Sequence, residues 1–148
     1  MADVKISDLA QSTSPSYTDI LELEVSGVSK KATIKDTVKA GAHRVYTITS
    51  SSAPTIDTDA YDYVSITALA EDISSMSTNL SGTPINFQKL VFRIKDNGVA
   101  RSINWGASFQ AGTIGLPTTT IVGKTLLVGF MYDSVDAKWT CEASGSRS

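Results

Sequence analysis

Few side chains in this sequence are arranged to do chemistry. Nucleophilic catalysis needs a Ser or Cys beside a base, and the chain has one imidazole, His43, and one thiol, Cys141. Cys141 falls on the apolar phase of its segment, which predicts a buried structural thiol. His43 reads as a partly exposed residue at a junction. One Cys and one His cannot make a Cys/His zinc site within one chain, and a single Cys excludes an internal disulfide. Asp57, Asp59 and Asp62 form a short acidic cluster, and oxygen-rich loops can hold calcium. Their spacing departs from the EF-hand pattern and no Gly marks the bend, so Asp residues capping turns are the expectation. Carboxylate pairs could hydrolyse glycosides, but no acid stands among aromatics at a plausible cleft. Trp105 and Trp139 could stack on sugar rings. Both are in phase with apolar strand positions, which predicts packing in a core or subunit interface. Residues 106–115 have neither the Lys nor the spacing of a phosphate-binding loop. The residues therefore point to no catalytic group, no metal and no cofactor, and the chain reads as a protein that is not an enzyme.

The elements that would position these residues are β-strands. The chain has 148 residues, 41% hydrophobic and 19% charged, enough for one domain with a sizeable core. Ser and Thr make up for the low charge, and these residues favour turns and strands. The net charge of −2 and the scatter of Lys and Arg along the chain predict no nucleic-acid partner. No apolar run approaches the roughly 20 residues that span a bilayer as a helix, so no membrane association is expected. No charged-then-apolar leader is evident at the start, so export by that route is not expected.

Residues 1–16 are polar and read as an extended arm, with a turn at 13–16. Leu21, Leu23 and Val25 then alternate with Glu22 and Glu24, Ser26-Gly27 turns the chain, and the return strand at 30–34 brings lysines near the glutamates. Residues 34–40 could form one or two helical turns stopped by Gly41. A two-stranded hairpin is at best marginally stable in water, so the arm and hairpin (1–41) should dock on something larger. Ile6, Leu9, Ile20, Leu21, Leu23, Val25, Val28 and Ile34 are its candidate assembly interface. The body (42–148) shows strands at 44–49 and 61–69, the latter with Val64, Ile66 and Ala68 on one face. Residues 71–77 fit a short helix or a loop. Asn97-Gly98 suggests a hairpin joining Leu90, Phe92 and Ile94 to Arg101, Ile103 and Trp105. A second hairpin is expected from 118–122 and 125–132, the latter central. Trp139 to Ala143 closes the sheet, and 144–148 should fray. Strands at this spacing, without an internal repeat, predict an all-β fold: an antiparallel, jelly-roll-like β-sandwich.

Two stretches resemble tailed-bacteriophage virion proteins. Lys5-Ile6-Ser7-Asp8-Leu9, the Ser/Thr spacer, Asp19-Ile20-Leu21 and Gly27 to Ile34 are similar to the N-terminal module of phage fibre and appendage proteins, with Ala10 where that pattern often has Pro. Tyr61 to Ala70, Leu80 to Pro84, Arg93 to Gly98 and Ile103 to Gly106 are similar to a β-rich module of phage structural proteins. The resemblance covers most of the chain and carries over no catalytic residue. It implies a virion structural protein made in the bacterial cytoplasm. It would be an exterior component of the tail, baseplate or fibre, attached through its N-terminal segment. A capsid-decorating cement protein is the alternative. A module binding a host-surface glycan through loops 50–59 and 106–117 is the lesser one. The implied partners are other copies of the chain, as a homotrimer, and other virion proteins.

Overall fold

The computed structural model of the chain describes residues 20–25, 28–33 and 43–148. It divides into two compact units, Met1–Ala42 and His43–Ser148. In the first, β1 (Ile20–Val25) and β2 (Val28–Thr33) pair antiparallel, with Glu22 opposite Lys31 and Leu23 opposite Lys30. Only one of the two lysines is therefore opposite a glutamate. The expected arm at 1–16, the Ser26-Gly27 turn and the helical turn at 34–40 lie outside the described residues. So do Ile6, Leu9 and Ile34.

The second unit is built from short strands that return to the same place, one coil above another. Its elements are β3 (Val45–Ile48), β4 (Ile56–Asp57), β5 (Tyr63–Leu69), β6 (Leu80–Ser81), β7 (Lys89–Asp96), β8 (Phe109–Ala111), β9 (Thr125–Asp133) and β10 (Lys138–Arg147). β3, β5 and β7 are parallel neighbours, with Val45 beside Tyr63 and Tyr63 beside Val91. Between them the chain crosses to a second, small parallel sheet, where Ile56 of β4 lies beside Leu80 of β6. A third contact stacks Ile73 on Ile103, again parallel. Parallel contacts at three positions around the coil thus join successive turns, which makes a short β-solenoid-like stack. Past β7 the pattern changes: β9 and β10 add antiparallel, and β8 pairs parallel to β10, giving the sheet order β3-β5-β7-β9-β10-β8.

This arrangement departs from an antiparallel jelly-roll-like sandwich, because four of the seven strand pairings among the described residues are parallel. All-β is right, and no helix occurs among the described residues. The stacking is invisible as a sequence repeat because the coils differ in length. The register advances 18 residues from Val45 to Tyr63 and 28 from Tyr63 to Val91. Asn97-Gly98 is a coil corner, not a hairpin. Asp96 Oδ1 accepts from the Gly98 amide at 3.0 Å, and the Asn97 amide donates to the Leu69 carbonyl at 3.1 Å. Gly98 supplies the positive φ of 95° that the corner requires. The chain then leaves β7, and Ile103 donates its amide to the Thr118 carbonyl. Segment 118–122 consequently pairs with 101–103 instead of 125–132. The C-terminal tail does not fray: β10 runs to Arg147, paired with Thr125.

The inner face is a close-packed apolar core. Leu90, Phe92 and Ile94 of β7 and Leu126, Val128 and Phe130 of β9 are buried, as their alternation predicts. β5 contributes Val64 and Ile66, then shifts register so that Leu69, rather than Ala68, is fully buried. Phe92 meets Trp105, Phe109 and Phe130 edge-on at centroid distances of 5.2, 5.8 and 5.8 Å, the geometry that aromatic quadrupoles favour.

Ser and Asn stitch the corners. Ser74 donates its amide (2.8 Å) and its hydroxyl (3.0 Å) to the Ser52 carbonyl. Asn104 Nδ2 donates to the Ser74 carbonyl at 2.9 Å. Ser77 Oγ donates to the Trp105 carbonyl at 2.8 Å and accepts from the Ser108 amide at 3.0 Å. Short polar side chains satisfy backbone groups that turn away from the sheet ladders at each corner.

Candidate interaction surface

The residues with potential chemistry are tied into the fold. Cys141 is fully buried, and burial raises its thiol pKa. His43 is exposed beside β3, while Cys141 lies on β10, four strand spacings across the sheet. That is about 19 Å, far beyond a dyad. In the acidic cluster, Arg44 grips Asp62 at both oxygens, Nη2–Oδ1 2.8 Å and Nε–Oδ2 3.0 Å. This bond holds the Asp62 carboxyl below its ordinary pKa. Arg44 Nη1 also donates to the Asp59 carbonyl. Asp57 Oδ1 accepts from the Asp59 amide at 2.9 Å, and Asp59 accepts the Thr83 amide at 2.9 Å and hydroxyl at 3.0 Å. These acids cap turns and fasten one coil to the next. Among the described residues no group of three acids, His or Cys is placed to hold a metal. Trp105 and Trp139 are 3% and 2% exposed, so neither is a sugar platform. The Trp105 indole is used internally, donating to the Pro117 carbonyl at 2.7 Å.

What remains is the outer face of the six-stranded sheet. Parallel strands are normally covered on both faces, and here the face opposite the core carries one apolar row. Val45, Tyr63, Val91, Gly129 and Ala143 form one row across five strands. Val45 at its end is 54% exposed. Ala143 reaches this face only because β10 carries a bulge. Cys141 pairs with Phe130, and Ala143, two residues on, pairs with Gly129, one residue back. The extra residue flips the phase, so Cys141 stays in the core and Ala143 turns outward. Gly129, which has no side chain, and the small Ala143 leave room for an open groove of about 650 Å³, lined also by Tyr63, Val91, Leu127, Ser144, Ser146 and Arg147.

The same register gathers cations beside the groove. Arg93 lies in a row with Leu127 and Gly145, and Lys95 in a row with Thr125 and Arg147. Lys95 and Arg147 are two strand spacings apart, about 10 Å. Among the described residues the one ion pair is Arg44–Asp62, so Arg93, Lys95 and Arg147 have no acidic partner there. Sequence reasoning missed this cluster because Arg147 is more than fifty residues from Lys95, and only the pairing of β7, β9 and β10 brings them together. One signal was available: Lys89, Val91, Arg93 and Lys95 all fall on the phase of β7 opposite the core. A second exposed apolar group stands elsewhere, on the loop before β7 and the β9–β10 turn: Ile85, Phe87 and Val135, 73%, 70% and 89% exposed.

The hairpin residues Ile20, Leu21, Leu23, Val25 and Val28 belong to β1 and β2. The register places Val25 opposite Val28 and Leu21 opposite Ala32. No protein family, curated protein or solved structure matches this chain.

Proposed function

We propose that this protein is a non-enzymatic structural component of a tailed-bacteriophage virion. In this reading it is an exterior accessory piece of the tail, baseplate or fibre, attached through its N-terminal segment. The observation that carries the reading is the apolar outer row Val45–Tyr63–Val91–Gly129–Ala143 on the coil stack. Such a face is suited to burial against another subunit. It agrees with the resemblance of residues 5–34 and 61–106 to virion modules. The protein works as a homotrimer, with the arm and hairpin, including Ile6, Leu9 and Leu21, at the attachment or inter-subunit surface. A capsid-decorating cement protein is the second reading, favoured by the breadth of a six-stranded face that could seat on a shell.

The test is light scattering combined with a surface variant. A Cβ at Gly129 would meet only Ala143, its Cβ at 3.8 Å and its carbonyl oxygen at 4.0 Å, both ordinary contacts, and Gly129 has no positive φ. Gly129→Arg should therefore fold normally. The wild-type mass should be three times the 15.7 kDa protomer. Gly129→Arg should retain the melting temperature and fail to join virion partners. A wild-type monomer, unchanged in the presence of those partners, would overturn the reading.

A further inference from the structure

We infer that the outer-face groove binds an extended, acidic polypeptide segment in which apolar and carboxylate residues alternate. The inference rests on the assembly reading above and adds the chemistry of the partner. Two independent features of the same surface specify it. The first is the open, mainly apolar groove of about 650 Å³, lined by Tyr63, Val91, Leu127, Gly129 and Ala143 together with Ser144 and Ser146. Most of its lining comes from residues 127–129 of β9 and 143–147 of β10, where Gly129, Ala143 and Gly145 leave room. An extended chain presents side chains to alternate sides, so every second residue of a bound strand would enter the groove. The second is the cation set Arg93, Lys95 and Arg147 in the two rows beside it, without an acidic partner among the described residues.

Charge complementarity across an interface selects partners and speeds encounter. A net charge of −2 over the chain, with three cations gathered at one end of one sheet face, is the asymmetry expected of a site for an acidic ligand. Arg93 and Arg147 carry guanidinium forks, which match carboxylates bidentately. Val91, Leu127 and the Tyr63 ring add apolar contact that a purely charged polymer would leave unused. This separates an amphipathic polypeptide from a nucleic acid or a sulfated glycan.

The experiment uses the full chain and three fluorescent ten-residue peptides, alternating Leu-Glu, Leu-Lys and Ser-Glu, read by fluorescence polarisation at two salt concentrations. Leu-Glu should bind, and its affinity should fall at least tenfold in Arg93→Glu/Arg147→Glu. Leu127→Ser should weaken it severalfold. Leu-Lys should not bind, and Ser-Glu should bind at least tenfold more weakly than Leu-Glu. Melting curves confirm that the variants fold. The inference is overturned if Leu-Glu does not bind, or if Ser-Glu or a short DNA oligonucleotide binds as tightly. It is equally overturned if the charge reversals change nothing. Failure here with the chain still present in purified particles refutes only the partner chemistry. Peptide binding with the chain absent from particles refutes the virion reading instead.

Discussion

Replacing Phe92 by Ala removes the side chain at the centre of the aromatic cluster. Phe92 is fully buried and packs edge-on against Trp105, Phe109 and Phe130. Truncating a buried Phe to Ala costs about 3–5 kcal/mol in lost transfer and cavity energy. Three aromatic partners at once place the value near the upper end, about 4–5 kcal/mol. In a unit of this size that lowers the melting temperature by roughly 20 °C and removes a large share of a typical domain stability of about 5–15 kcal/mol. Urea unfolding of the full chain, followed by tryptophan fluorescence, isolates the effect, because Trp105 and Trp139 are the only tryptophans and both lie in the solenoid unit. Val91→Ala is the internal control. It is the neighbouring residue on β7 but faces outward, half-buried, and should cost about 1 kcal/mol or less. A Phe92→Ala loss below about 2 kcal/mol, or one smaller than that of Val91→Ala, would refute the assignment of inner and outer faces.

Gly106→Ala should destabilise by about 1–3 kcal/mol, measured by thermal melting. Gly106 has a φ of 74°, and an added Cβ would stand 2.7 Å from Ser77 Oγ, the hydroxyl that joins Trp105 to Ser108. Cys141 should resist a thiol reagent at pH 8 in the folded protein and react at the rate of unfolding, since burial removes access and raises its pKa; rapid stoichiometric labelling would contradict its place in the core. The Arg44–Asp62 pair lowers the folded pKa of Asp62. Its contribution is therefore present above the unfolded carboxylate value of about 3.9 and lost as pH falls through the folded value. Solvent screening keeps it to about 1 kcal/mol or less. In Arg44→Met, the difference in stability from wild type should shrink below pH 4, as followed by urea midpoints between pH 2 and 7.

Much of the core was legible in the sequence, and the topology was not. Alternation in 90–94 and 126–130 identified the inward residues, because side-chain direction in a strand is set locally. Pairing direction is not local. Asn97-Gly98 has the φ tolerance of a hairpin turn, but the same tolerance serves a solenoid corner. The choice depends on Leu69 and Thr118 being near enough to take the backbone bonds. Unequal coils of 18 and 28 residues hid the stacking from any search for a fixed period. The candidate surface was less legible still. Ala143 appears in phase with Cys141 until the bulge reverses it. Arg147 joins Lys95 only through Thr125.

The most direct measurement of the central proposal is quantitative mass spectrometry of purified particles from cells that produce this chain, read as copies per major capsid protein. The tail or appendage reading predicts a few to some tens of copies per particle, in a multiple of three or six. Hundreds of copies would move the protein to the capsid as cement, since only the shell's repeated symmetry offers so many sites. Absence from the particle would contradict the structural role altogether.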